Sequence, residues 1–365
     1  MPEVNELEKL VKEINKEFGN DSIMKLSDTV GQKEDVIPTG ALSLDLALGV
    51  GGMPRGRIVE IFGKESSGKS TLALNIIKNA QHLGDKCAYI DLENTMDINY
   101  CKNIGIDVGN VLLSQPRSAE QALGIAEKLI ASNQVKIIVI DSVAALAPQK
   151  EIDGEIGDQQ MALQARLMSK FLRIQTQPVN KHKVIVIFIN QIRKANFGGY
   201  GKPEDTPGGL ALKFYATLRM EVKPIEKLMK GDIHIGNKVQ CKIVKSKAAA
   251  PSKIGIFDII FGRGIRKLSS IFEAAIENGV ITKDGNTYSY KNKKLGVGEN
   301  NAYNKFKSDK EMIAEIDATT RETFAKRQAE FFLSTGEDEN IERKEVKDNE
   351  DLTEVPDKIE VKELE

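Results

Sequence analysis

Eight consecutive residues, Gly63-Lys64-Glu65-Ser66-Ser67-Gly68-Lys69-Ser70, carry the sharpest chemical signal in this chain, with Thr71 directly behind them. The apolar run Ile58–Phe62 feeds into them and a helical pattern follows, so the G-x-x-x-x-G-K-S spacing sits between strand and helix, as a phosphate-binding loop requires. The glycines let the backbone curl until successive N–H groups point at phosphate oxygens, and the helix N-terminus adds its dipole. Lys69 then reaches the β- and γ-phosphates, while the Ser70 hydroxyl ligates Mg²⁺. The loop predicts nucleotide binding.

Two carboxylates belong to the same chemistry. Lys136–Ile140 reads as a buried strand that delivers Asp141 beside the metal, although an Asp at a strand end also serves as a helix cap. Cys87–Asp91 runs into Leu92-Glu93, and ligands of open α/β sheets lie off the carboxyl ends of the strands. A carboxylate at Glu93 can polarise a water for attack on the γ-phosphate. Asp91, one pleat earlier on the same face, is its rival. A solvated strand-end Glu is the bland alternative.

These side chains need a scaffold, and the hydrophobic pattern supplies one. From Ile37 to about Phe261, strand patterns at Ile58–Phe62, Cys87–Asp91, Val111–Leu113, Lys136–Ile140 and Val184–Ile189 alternate with helical patterns at Thr71–Leu83, Ala119–Ser132 and Met161–Gln175. Several strands are near-continuous apolar runs, which suits a sheet covered on both faces. The pattern predicts an α/β fold with a largely parallel sheet. Three later strands, Ala216–Val222, Lys238–Val244 and Ile256–Phe261, follow closely and are expected to pair antiparallel at one side.

Before this core, Leu7, Leu10, Val11, Ile14 and Phe18 recur at helical spacing, then come the short apolar piece Ser22-Ile23-Met24 and a polar linker to about Glu34. Such an arm docks on a neighbouring chain or packs on its own domain. After the core, a helix at Ser269–Asn278, a strand at Thr287–Tyr290 and a mostly helical stretch over Lys305–Phe332 make a small α+β domain. Residues past Thr335 are charged and poor in apolar side chains, and no fold is assigned to them.

Composition bounds the rest. The 365 residues are 41% hydrophobic, enough for a sizeable core and more than one domain. The longest apolar run, Val184–Ile189, has six residues against the roughly 20 a membrane span needs, so no membrane association is expected. The N-terminus has no signal-peptide pattern. Three unevenly spaced cysteines argue against a disulfide scaffold or a structural zinc, and a reducing cytoplasm suits them. Residues 336–365 carry 13 acidic and five basic side chains, which leaves residues 1–335 with 47 basic and 40 acidic. That split suggests a polyanion-binding body with an acidic tail that either competes for the same surface or merely solubilises the end.

The segments GKESSGKST (63–71), YIDLE (89–93), VIDSVAAL (139–146), GEIGD (154–158), FINQIR (188–193), PGGLALKFYA (207–216) and KSKAAAP (245–251) resemble, in order and separation, the bacterial RecA recombinase family. The resemblance runs from the N-terminal helix to about residue 330. It implies an oligomerisation arm of helix plus strand at 1–33 and a RecA-like P-loop NTPase core at 34–265. It further implies a small C-terminal α+β domain for duplex DNA at 266–332, with an acidic tail at 333–365. The implied activity is DNA-dependent ATP hydrolysis with ATP and Mg²⁺, filament formation on single-stranded DNA, and homologous pairing and strand exchange in recombinational repair. Stimulation of self-cleavage by a LexA-like repressor in the SOS response comes with it.

The family pattern also assigns roles by position. Glu93 becomes the water-activating base, Asp141 the metal-side carboxylate, and Gln191 an amide that senses the γ-phosphate. Asp97 and Tyr100 become adenine contacts, although Tyr100 by itself reads as a packing residue. Lys245 and Lys247, two apart at a strand end, reach the neighbouring protomer's ATP, and Phe214 is an interface residue. Lys194–Gly209, sixteen residues with five glycines and no helix or strand pattern, becomes the second DNA loop. There Phe197 and Tyr200 offer flat faces to bases, Arg193, Lys194 and Lys202 offer charge, and Gly208 and Gly209 close the segment. The first DNA loop falls at about Gly154–Met161, with Arg166 just beyond.

Lys283, Lys291, Lys293, Lys294, Lys305 and Lys307 form a basic set suited to duplex capture. Two other readings stand beside the recombinase. One is another ATPase of the same fold, a hexameric helicase or a small-molecule kinase, which leaves the glycine-rich loop and paired lysines unexplained. The other is a non-hydrolysing, ATP-gated DNA coat, which the set Lys69, Ser70, Glu93, Asp141 and Gln191 argues against.

Overall fold

The structure is a computed structural model that describes residues 6–19, 22–25, 35–155, 162–194, 204–248, 253–327 and 330. Nine strands form the central sheet: β1 (Ile58–Gly63), β2 (Cys87–Asp91), β3 (Val111–Ser114), β4 (Ile137–Asp141), β5 (Ile185–Gln191), β6 (Leu218–Lys230), β7 (Ile233–Ser246), β8 (Ile254–Ile260) and β9 (Gly264–Ile265). Their spatial order is β9-β8-β7-β6-β1-β5-β4-β2-β3. From β6 through β3 all neighbours are parallel, and from β6 to β9 they are antiparallel.

Side-chain alternation divides each central strand between two cores. Val59, Ile61, Ile137, Val139, Ile185, Ile187 and Ile189 face the layer that holds helix Lys69–His82. Ile58, Ile138, Ile140, Val186 and Phe188 face helices Ala119–Ser132 and Leu163–Lys181. Both faces are covered, which is why these strands read as unbroken apolar runs. Strands β6 and β7 are about twice as long as their hydrophobic patterns, because their pairing continues through mostly exposed residues to Lys230↔Ile233.

The C-terminal domain packs helix Lys267–Glu277, a three-stranded sheet (Thr282–Asp284, Thr287–Tyr290, Lys293–Val297), helix Glu299–Ser308 and a helix over 310–327 around a third core. The long helix expected over Lys305–Phe332 is broken at Asp309, whose carboxylate accepts the Met312 N–H at 3.0 Å and so starts a new helix. Leu42 and Leu46, on the short core helix Leu42–Ala47, complete this third core and join the domains. Asp45 on the same helix is buried with its carboxylate on the Thr39 N–H and hydroxyl, at 2.8 and 2.7 Å.

Helix Glu6–Phe18 buries none of its residues, and Leu7, Leu10 and Phe18 are all exposed. The strand expected beside it is a bend at residues 22–25, held by paired hydrogen bonds between Asn15 and the Ile23 backbone. A strand exists only through a partner ladder, and among the described residues this segment meets none.

Candidate nucleotide site

Strand β1 ends at Gly63 and helix Lys69–His82 begins at Lys69, with the loop wrapped between them. Close packing fixes where glycine must stand. A Cβ on Gly63 would meet the Val222 carbonyl oxygen at 2.2 Å, and one on Gly68, at φ +96°, would meet Ile259 Cδ1 at 2.4 Å. The first helical N–H groups have no intrahelical partner and no side-chain cap, so they are left for an anion. Lys69 is buried with its ammonium on the Lys64 carbonyl at 2.7 Å. Burial pulls its pKa down, against Asp141, Glu93 and Glu65, which hold it up. The buried Ser67 hydroxyl has no partner, which fits a loop built for phosphate oxygens.

The carboxyl ends of β4, β2 and β5 bring three more groups to this loop. Asp141 Oδ2 accepts from the Ser70 hydroxyl at 2.7 Å and from the Tyr89 hydroxyl at 2.6 Å. Burial nevertheless raises the Asp141 pKa, and the neighbouring Glu93 and Asp91 push the same way. Glu93 is exposed, and its Oε1 accepts from the Ser142 hydroxyl at 2.6 Å and from Gln191 Nε2 at 3.1 Å. Asp91 is buried, and its Oδ2 takes the Met96 N–H at 3.1 Å and Gln115 Nε2 at 3.2 Å. The two carboxylates differ in their surroundings. Asp91 anchors the following loop, whereas Glu93 faces open space beside the phosphate site.

A cavity of about 320 Å³ opens from the loop, lined by Ser66 to Thr71, Tyr100, Asn237, Val239, Ile259, Phe261 and Gly262. The Tyr100 hydroxyl pairs with Thr71 Oγ1 at 2.7 Å, which holds its ring at the cavity wall. Asp97 caps helix Ile98–Ile104, accepting the Asn99 and Tyr100 N–H groups on one oxygen. The opposite wall, from β7 and β8, was not legible in the sequence. Its only signal was Gly262 at a strand end, and Tyr89 and Ser142 likewise read as ordinary residues beside the acidic ones.

The remaining expected site residues lie on two nearby elements. Lys245 Nζ donates to the Lys213 and Phe214 carbonyls, each at 2.8 Å, at the end of helix Leu210–Tyr215. Burial lowers its pKa, and neighbouring Lys247 adds to this. Phe214 is 69% exposed, an apolar ring with no cover among the described residues. Arg166 is exposed on helix Leu163–Lys181, whose start is tied by Gln164 Nε2 to the Val143 carbonyl at 2.6 Å. The stretch Lys194–Gly209, expected to lack structure, begins and ends as a short antiparallel ribbon, Arg193↔Asp205 and Lys194↔Glu204. Backbone pairing, which apolar periodicity does not report, makes that ribbon. Gly208 and Gly209 follow it at positive φ, against Val143 and Ala165. Phe197, Tyr200, Lys202 and residues 156–161 lie outside the described residues, as does the acidic tail.

Residues 5–266 match the family model of the RecA N-terminal domain, and residues 269–325 that of the RecA C-terminal domain. The chain belongs to the RecA family. Protein RecA of Caldanaerobacter subterraneus subsp. tengcongensis is 49% identical over 318 residues, covering 87% of this chain and 93% of the relative. Protein RecA of Campylobacter hominis is 46% identical over 336 residues, 92% of this chain and 96% of the relative. As a RecA-family protein the chain is a nucleotide-binding, DNA-dependent ATPase of recombination and repair. Among the described residues, no helix is long and apolar enough to cross a membrane.

Proposed function

We propose that this RecA-family chain hydrolyses ATP with Mg²⁺ as a helical filament on single-stranded DNA, and that the filament pairs and exchanges homologous strands. The observation that carries the reading is the convergence of Lys69, Ser70, Asp141, Glu93 and Gln191 at one end of the parallel sheet. Ser70 and Asp141 would hold Mg²⁺. Both are hard oxygen donors, and the Ser70 hydroxyl already lies on Asp141 Oδ2 at the phosphate loop. When bound, Mg²⁺ draws charge from the phosphates of ATP.

This chain's own groups do the rest. Lys69 and the helix N-terminus bind the phosphates, and Tyr100 with the β7–β8 wall holds the base. Glu93, oriented by Ser142 and Gln191, takes a proton from the attacking water. Gln191 has its amide on Glu93 and its backbone at the start of the ribbon, a position from which loss of the γ-phosphate can reach DNA contacts. Lys247 and Phe214 are exposed, and Lys245 sits beside them on the Lys213 and Phe214 carbonyls, as groups that complete a neighbour's site would. The uncovered apolar stripe of helix Glu6–Phe18 supports an arm that docks on the next protomer.

The basic lysines of the C-terminal domain suit duplex DNA, and the acidic tail competes for that surface. Deleting residues 336–365 is expected to tighten duplex binding and steepen its salt dependence. A LexA-like repressor as partner and a cytoplasmic location belong to the same reading. The deciding assay is ATP hydrolysis with Mg²⁺, with and without long single-stranded DNA, followed by electron microscopy. Strong stimulation and helical filaments are expected. DNA-independent hydrolysis, or closed rings, would favour a helicase or kinase of the same fold.

A further inference from the structure

A buried chain of polar groups crosses four neighbouring strands on the face covered by helix Leu210–Tyr215. Lys245 on β7 lies opposite Arg219 on β6, and Arg219 lies opposite Glu60 on β1. A register shift beside Arg219 leaves Val244 unpaired between Ile243 and Lys245, which re-aims Lys245 to the Arg219 face. Glu60 and Asn190 are fully buried, and between them no hydrogen-bonding oxygen or N–H is wasted. Glu60 Oε2 accepts Arg219 Nε at 2.5 Å, and Oε1 accepts Asn190 Nδ2 at 2.9 Å. Asn190 Nδ2 also donates to the Pro207 carbonyl at 3.0 Å, and its Oδ1 accepts the Gln191 N–H at 2.9 Å.

Two features of this arrangement have no packing rationale. A buried ion pair costs desolvation that an apolar pair at positions 60 and 219 would avoid, so the core by itself does not call for Glu60. Asn190 also joins both legs of one segment, since Gln191 precedes the ribbon Arg193–Lys194 with Glu204–Asp205 and Pro207 follows it. Pro207 leads within three residues into helix Leu210–Tyr215, whose last carbonyls are held by Lys245.

We infer that Glu60 and Asn190 are positioning residues that lock the Gln191 backbone to the Pro207 exit of the ribbon, so that a shift of Gln191 moves the segment leading to Phe214. Neither residue lines the cavity at the phosphate loop. This inference rests on the proposed role of Gln191 and deepens it. A lock of this kind transmits only what Gln191 does, so its removal leaves nucleotide binding intact and uncouples DNA from hydrolysis.

The test is the full-length chain carrying the paired exchange Asn190→Asp and Glu60→Gln. The pair keeps the buried charge count. A Gln at 60 can donate to an Asp at 190 and still accept from Arg219, which preserves the fold. Neither new side chain can donate from position 190 to the Pro207 carbonyl. Nucleotide affinity and DNA-free hydrolysis are expected within about twofold of the parent, with stimulation by single-stranded DNA reduced at least about tenfold. The ratio of DNA affinities with a non-hydrolysable ATP analogue and with ADP should fall toward one. Asn190→Asp alone should show the same uncoupling with a lower melting temperature. Stimulation close to parental in the paired exchange overturns the inference, as does a parallel loss of nucleotide binding, which would mean a purely structural role. A parent chain that DNA does not stimulate overturns the proposed function, and the lock with it.

Discussion

Asp45→Asn should stabilise this protein above neutral pH and leave it unchanged in acid. Asp45 is 4% exposed on the helix that joins the core to the C-terminal domain, and burial raises its pKa from 3.8 to about 7. Hydrogen bonds from Thr39 and the charges of Arg321 and Lys267 act in the opposite direction but do not prevail. Between these two values the folded chain holds a proton that the unfolded chain has released, so this group's contribution falls as pH rises. It is fully favourable below about pH 4 and fully lost above about pH 7. At 1.36 kcal/mol per pKa unit the carboxylate costs on the order of 4 kcal/mol at pH 8, of which relaxation of the site leaves about 2–4. Asparagine keeps an oxygen for both Thr39 donors and does not titrate.

The assay is thermal melting of parent and variant side by side across pH 3.5 to 8, because only their difference isolates one group among several raised carboxyls. With about 2–4 °C per kcal/mol for a domain of 150–250 residues, the variant's advantage should grow from near zero in acid to about 5 °C or more at pH 8. A constant difference across the range, or a variant less stable than the parent at pH 8, would refute the burial argument.

Glu93→Gln should bind ATP within a few-fold of the parent yet turn it over about 10²–10⁴ times more slowly, as loss of a general base requires; unchanged turnover would remove Glu93 from that role. Gly63→Ala places a Cβ 2.2 Å from the Val222 carbonyl oxygen, which should displace the loop, abolish nucleotide binding in a titration and lower stability. The overpacking cost is about 1–3 kcal/mol. Lys238 bridges Glu273 at 2.6 Å and Glu299 at 2.8 Å; burial opposes its charge, but these carboxylates outweigh it and hold its pKa high. Lys238→Ala strands the partly buried Glu273 and should cost about 3 kcal/mol at neutral pH, read by limited proteolysis as earlier release of the C-terminal domain.

The phosphate loop, the strands that carry Asp141 and Glu93 and the sheet's division into parallel and antiparallel halves were legible in the sequence. Each is a local fact. A loop motif needs adjacent residues, and a doubly covered strand announces itself as an apolar run wherever it sits. The site's orienting groups were not legible, because their meaning depends on distant partners. Tyr89 and Ser142 matter through Asp141 and Glu93, and the far wall of the nucleotide cavity comes from strands more than a hundred residues away. Asp91 and Glu93 have similar claims as sequence, and only burial separates the anchor from the candidate base. Long pairing through the mostly exposed residues 223–237, the ribbon of 193–194 with 204–205 and the break at Asp309 escaped for one reason. Backbone hydrogen bonds and caps hold them, and hydrophobic periodicity does not record either. Glu60 and Asn190 mark the limit of what sequence can show. A Glu within an apolar strand reads as an exception, and only the tertiary structure shows that it meets Arg219 and Asn190 in the dry interior, where a charge persists only when paired.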